Sequence, residues 1–131
     1  MRIREMRFVL ISVLLLWAMA TQTGAATITV TNTNDSGPGS LRQALANTNN
    51  GDRINFAATG AITLTSGGLG ITKNVTISGP GANQLAVNGN QALFVFGVFP
   101  QRTVSISGLS IRNARLEFII IRARYPSVIA S

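Results

Sequence analysis

The sequence predicts an all-β fold of short strands with one short helix, and three observations carry that expectation. Runs of about five residues alternate apolar side chains with hydroxyl or other polar ones, the usual length and period of a strand. Clusters rich in Gly, Asn and Pro separate these runs, and one strand-and-corner unit recurs further along the chain. With 131 residues there is room for one domain, and a content of 46% hydrophobic and 11% charged residues excludes a disordered chain.

The first alternating run, Thr27-Ile28-Thr29-Val30-Thr31, places Ile28 and Val30 on one face and threonines on the other. The pattern returns in Ala61–Thr65, Asn74–Ser78, Gln84–Asn88, Ala92–Phe96 and Thr103–Ser107. Between the runs, Ser66-Gly67-Gly68, Ser78-Gly79-Pro80-Gly81 and Asn88-Gly89-Asn90 supply the corners, because Gly and Asn accept a positive φ and Pro presets a negative one. Gly79, Gly81 and Gly108 are accordingly expected to be structural.

One segment has a different period. Ser40-Leu41-Arg42-Gln43 matches the S-x-x-Q capping box, in which the Ser hydroxyl and the Gln amide satisfy helix N–H groups reciprocally. Leu41, Ala44 and Leu45 then share one helical face, and Asn47 to Gly51 ends the helix after about two turns. Such a helix is marginal alone, so Leu41 and Leu45 must dock, and the open end of a strand stack is the expected surface. Ile54, Ile62, Leu64, Val75 and Ile77 are expected to line the interior beneath it. Arg42 points away from the stripe, so Arg42→Ala is expected to matter little.

The recurring unit sets the scale of the stack. Asn74-Val75-Thr76-Ile77-Ser78-Gly79 aligns with Thr103-Val104-Ser105-Ile106-Ser107-Gly108 at an offset of 29 residues, and a cation, Lys73 or Arg102, precedes each copy. Coils of β-solenoids run on the order of 20–30 residues and are stable against their neighbours. An antiparallel sandwich would place similar strands at similar spacing, so the residues leave both architectures open.

The stretch Ile28–Leu45, with Asn32-Thr33-Asn34-Asp35-Ser36-Gly37-Pro38-Gly39-Ser40-Leu41-Arg42-Gln43-Ala44 at its centre, resembles the N-terminal cap of secreted bacterial right-handed β-helix repeat proteins of the pectate-lyase-like superfold. Arg53-Ile54-Asn55-Phe56, Gly60–Leu64, Ile71–Gly81 and Val104–Asn113 are similar to the early coils of that family. The resemblance spans Thr27 to Asn113 and implies a right-handed parallel β-helix (a solenoid) with a short N-terminal capping helix. Members of the family continue into further Gly-rich coils, whereas Arg115–Ser131 drops both the Gly/Asn turns and the alternation. The expected organisation is a signal peptide at 1–20, a short linker at 21–26, cap and first coils at 27–114, and an atypical tail at 115–131, read as a frameshifted or truncated end.

The signal peptide is expected from Met1–Arg7, which is positively charged, and the apolar run Phe8–Ala20, which is short of the roughly 17–25 residues a membrane span needs. Ala18-Met19-Ala20 offers small residues at the positions a signal peptidase reads, predicting cleavage before Thr21, with Thr23–Ala26 as a later alternative. An uncleaved anchor is the competing reading. Export predicts a secreted or cell-surface protein with no stable membrane span after cleavage.

Composition excludes several functions. The net charge of +7 comes mostly from the two ends, with Arg2, Arg4 and Arg7 at one and Arg112, Arg115, Arg122 and Arg124 at the other. No basic stripe with interleaved aromatics runs between them, so no nucleic-acid partner is expected. The chain has no Cys and no His, which removes disulfides, the commonest metal ligands and the commonest general base. After the signal segment the acids are Asp35, Asp52 and Glu117, too few for a calcium site and not placed as a pair for glycosidic hydrolysis. Asp35 and Asp52 read as turn-forming residues. Gly79-Pro80-Gly81-Ala82 lacks the Lys and Ser/Thr of a phosphate loop and reads as a corner. No catalytic, cofactor or metal site is therefore expected.

What remains is surface. Thr27, Thr29, Thr31, Thr63 and Thr65 present outward hydroxyls that suit carbohydrate or ordered water, although Thr is also simply a good strand residue. Asn47 and Asn74 stand where amide ladders or caps form, and Asn74-Val75-Thr76 is an N-x-T sequon. The reading that follows is a non-enzymatic secreted or cell-surface β-helix, structural, adhesive or glycan-binding, with extracellular glycans or cell-surface components as partners. The alternative is an N-terminal fragment of a carbohydrate-active β-helix enzyme, a polysaccharide lyase or hydrolase. Oligomeric state is left open by the sequence.

Overall fold

Short alternating strands leave backbone N–H and C=O groups unpaired on both edges, and burying them requires a neighbour of the same length. In the computed structural model, which describes residues 24–120 and 127–130, each strand finds that neighbour one coil away. The expected signal segment, residues 1–20, lies outside the described residues.

The chain opens with β1 (Thr27–Val30) and α1 (Leu41–Asn47). A first coil follows in β2 (Asp52–Phe56), β3 (Gly60–Thr63) and β4 (Leu69–Ile71), and a second in β5 (Val75–Ser78), β6 (Leu85–Asn88) and β7 (Phe94–Val98). A third consists of β8 (Thr103–Ser107), β9 (Ser110–Arg112) and β10 (Leu116–Ile120), and β11 (Ser127–Ala130) begins another. β1 pairs directly with β2, and from β2 onward consecutive strands lie in different sheets: a five-stranded sheet in the order β1-β2-β5-β8-β11, and two three-stranded sheets, β3-β6-β9 and β4-β7-β10. All pairings are parallel. The protein is thus a parallel β-helix of about four turns with one short helix, and the antiparallel sandwich is excluded.

Register stacks like on like. Ile28, Ile54, Ile77 and Ile106 form one column on the inner side of the five-stranded sheet. Ile62, Val87 and Ile111 form another across β3, β6 and β9, while Leu69 meets Phe96 and Ile71 meets Val98 across β4 and β7. These columns make one hydrophobic core, and Ile54, Ile77, Val87 and Phe96 are fully inaccessible. Burying each such side chain is worth about 1.5–3 kcal/mol.

Strict alternation fails in two places. Leu85, Ala86 and Val87 are all buried, as are Val95 through Val98. Two of the residues that break the period, Ala86 and Gly97, are small enough for neighbouring groups to cover them. The shortest strands, β4 and β9, span three residues each and carry too little period to announce themselves.

Parallel pairing also runs past residue 114, where the sequence reading ended the coils. Leu116, Phe118 and Ile120 register with Phe94, Phe96 and Val98, and Ser127–Ala130 registers with Thr103–Ile106. Ladder hydrogen bonds use backbone groups that every non-Pro residue carries, so a segment without Gly or Asn corners still extends the sheets. Among the described residues no helix is long and apolar enough to cross a membrane.

Candidate functional site

The N-terminal end is built around α1. Ser40 sits in an extended conformation and its hydroxyl accepts from the Gln43 N–H at 3.1 Å, which starts the helix. The reciprocal half of the capping box is not made. The Gln43 side chain donates forward to Asn47 Oδ1 at 3.1 Å, and the Ser40 N–H donates to the Gly37 carbonyl at 3.2 Å. The tight Gly37–Ser40 turn takes the donor that Gln43 was expected to satisfy. Leu41, Ala44 and Leu45 are buried, and the helix packs against β1 and β4.

Arg42 corrects the expectation that it would matter little. Its guanidinium donates to the Asp35 carbonyl (3.1 Å), Asp35 Oδ1 (2.9 Å), and the carbonyls of Gly67 (2.7 Å) and Gly68 (3.0 Å). Asp35 in turn accepts from the N–H and hydroxyl of Ser66 and from the Thr65 hydroxyl. Asp35 is therefore not a local turn former but the centre of a clamp joining the cap loop, the helix and the β3–β4 corner. Desolvation pushes its carboxyl pKa up, but the hydrogen bonds from Ser66, Arg42 and Thr65 and the charge of Arg42 outweigh that and lower it to about 2. No local periodicity announces a clamp between segments some 30 residues apart. Asp52 does form a turn, accepting from the Asn49 N–H, and also holds the start of β1 through the Ala26 N–H, both at 2.8 Å. Those two bonds, Asn49's the larger, lower its pKa despite burial.

The structural glycines stack at a later corner. A Cβ on Gly79 would collide with the Gly108 carbonyl, and one on Gly108, whose φ is +69°, with that of Gly79. The Gly79 N–H donates to the Ser107 carbonyl (2.8 Å) and the Gly81 N–H to the Gly108 carbonyl (2.7 Å). Where the chain enters β5, Asn50 Oδ1 accepts from the Asn74 N–H and Asn74 Oδ1 from the Thr103 N–H, both at 2.9 Å. This amide ladder uses Asn74 but not Asn47, which accepts from Gln43.

The candidate functional surface is the outer side of the five-stranded sheet. One column there runs Thr27, Arg53, Thr76, Ser105 and on to Ile129 of β11, and a second runs Thr29, Asn55, Ser78, Ser107. Thr27, Thr29 and Arg53 are exposed, and Asn55, Thr76, Ser78, Ser105 and Ser107 half-buried. The threonines expected to point outward are exposed or half-buried but belong to more than one face. Thr63 lies on a different sheet, and Thr65 is occupied by Asp35. Instead hydroxyls become neighbours across coils, Thr76 beside Ser105 and Ser78 beside Ser107, about 4.8 Å apart, which short-range patterning could not reveal. A hydroxyl both donates and accepts, an amide does likewise, and the Arg53 guanidinium donates only, so the two columns are polar across β1, β2, β5 and β8. Thr29 donates to Asn55 Oδ1 at 2.7 Å within the second column. A second, shallow depression is lined by Gln91, Asn113, Ala114 and Arg115. No group of three or more Asp, Glu, His or Cys that could hold a metal occurs among the described residues.

No protein-family model, curated protein or solved structure matches this chain.

Proposed function

We propose that the chain is a non-enzymatic, secreted or cell-surface right-handed β-helix protein that binds extracellular glycans through the outer side of its five-stranded sheet. The observation that carries this reading is the pair of in-register columns, Thr27/Arg53/Thr76/Ser105 and Thr29/Asn55/Ser78/Ser107, whose repeat suits a polymer that is itself repetitive and hydroxyl-rich. The positively charged, apolar leader at 1–20 supports export. Against a fragment of a lyase or hydrolase stands the engagement of both Asp35 and Asp52 in holding the cap together.

Binding of the full chain to a panel of immobilised polysaccharides tests the reading. Retention by at least one glycan, reduced by Thr76→Val together with Ser105→Val, is expected, without release of cleavage products. Absence of retention on every glycan, or product formation that Asp35→Ala or Asp52→Ala abolishes, would reject it. N-terminal sequencing of exported protein should begin at or shortly after Thr21, and retention of Met1 would refute cleavage.

A further inference from the structure

Two cations occupy equivalent positions in successive coils, at the corner that leads into the five-stranded sheet. Lys73 and Arg102 each stand two residues before Val75 and Val104, which are register partners. The bond from the Thr103 N–H to Asn74 Oδ1 ties the intervening residues of the two coils together at 2.9 Å. Both side chains are half-buried, and the Arg102 Nε is buried with no hydrogen-bond acceptor. Like charges one strand apart repel, and a buried donor without a partner costs free energy. Among the described residues no carboxylate forms an ion pair with either charge. Among the described residues the one ion pair joins Arg42 to Asp35, and both Asp52 oxygens already accept backbone N–H groups. Arg53, exposed on the outer side of β2, adds a third positive charge to the same sheet.

We propose that Lys73 and Arg102 form a binding site for a phosphate monoester carried on a glycan. A phosphomonoester brings about −1.5 to −2 charges and three acceptor oxygens, enough to meet an ammonium from one coil and a guanidinium from the next. A single carboxylate brings one charge and two oxygens, and leaves half of the positive charge unmatched. The adjoining hydroxyl columns, Thr76/Ser105 and Ser78/Ser107, give the sugar chain a surface that continues from the charged corner. The proposal rests on the glycan-binding reading and narrows its ligand.

The test is calorimetric titration of the full chain with a phosphomannan, with neutral mannan and polygalacturonate as comparators. The phosphomannan is expected to bind at least about tenfold more tightly than either, and inorganic phosphate should compete for the site. Lys73→Gln and Arg102→Gln should each weaken phosphomannan binding about tenfold, while Arg112→Gln, exposed on another sheet, leaves it unchanged. Thermal melts of each variant separate lost binding from lost folding, and Arg102→Lys, which keeps the charge, should recover most of the affinity. Equal affinity for polygalacturonate, or equal losses in all three Gln variants, would reduce the effect to net charge and overturn the proposal. Binding of neutral mannan as tight as that of phosphomannan overturns the phosphate site while leaving the glycan reading standing. Binding of no glycan removes both.

Discussion

The N-terminal end of the solenoid and the Gly79–Gly108 corner solve the same problem, holding one coil against the next, by different means. At the N-terminal end the neighbour is not another strand layer but a loop and a helix, and the contact is made by side chains: three apolar residues of α1 and the Asp35–Arg42 clamp. At the later corner the backbone itself is the contact, with Gly79 and Gly108 packed so closely that no side chain fits between them. A repeated interface can use what every residue carries, its N–H and C=O. A terminal interface occurs once and must be specified by particular side chains. Backbone stacking is therefore expected to be intolerant of added atoms, and the cap intolerant of lost ones.

The largest effect is expected at the glycines. Gly108→Ala adds a Cβ at positive φ, roughly 1–2 kcal/mol, and forces apart two backbone segments, about 1–3 kcal/mol more. Urea melts should show the loss, and a melt indistinguishable from the parent would mean that the corner is loose. Next, Leu41→Ala should cost about 2–5 kcal/mol, with Leu45→Ala somewhat less because Leu45 is 8% exposed against 1% for Leu41. If Leu45→Ala proved the worse of the two, the helix would be seated differently on β1 and β4. Arg42→Ala removes the clamp and leaves Asp35 without its cation, at an expected cost of about 1.5–3 kcal/mol. A neutral result there would break the comparison, since the cap would then be held by its apolar stripe alone.

A smaller effect should appear with pH. Asp35, at about 2, lies below the roughly 3.9 of an unfolded Asp, so its stabilisation is fully present above about pH 4 and is lost as pH falls toward 2. Asp52 is shifted in the same direction and adds to the same loss. Urea midpoints should hold steady from pH 7 to 5 and then decline, and Asp35→Asn should flatten that decline. Least of all, Asn74→Ala removes one rung of the amide ladder, for about 0.5–1.5 kcal/mol. Amide exchange should localise its effect to the entry into β8.

Much of this was legible in the residues alone. Alternation marked β1, β3, β5, β6 and β8, the Ser40 cap and the Leu41–Leu45 stripe marked α1, and the 29-residue offset between two similar segments is the register of β5 on β8. These features are local, or repeat a local pattern, and strand and helix periods act over a few residues. The tertiary structure alone decided which distant residues meet. Successive coils differ in length, 23 residues from Asp52 to Val75 but 29 from Val75 to Val104, so a single period could not predict every column. The Arg42 clamp, the Asn50–Asn74 rung, the hydroxyl columns and the pairing of β10 and β11 all depend on that uneven winding. Side-chain chemistry chose the elements, and the lengths of the corners between them chose their partners.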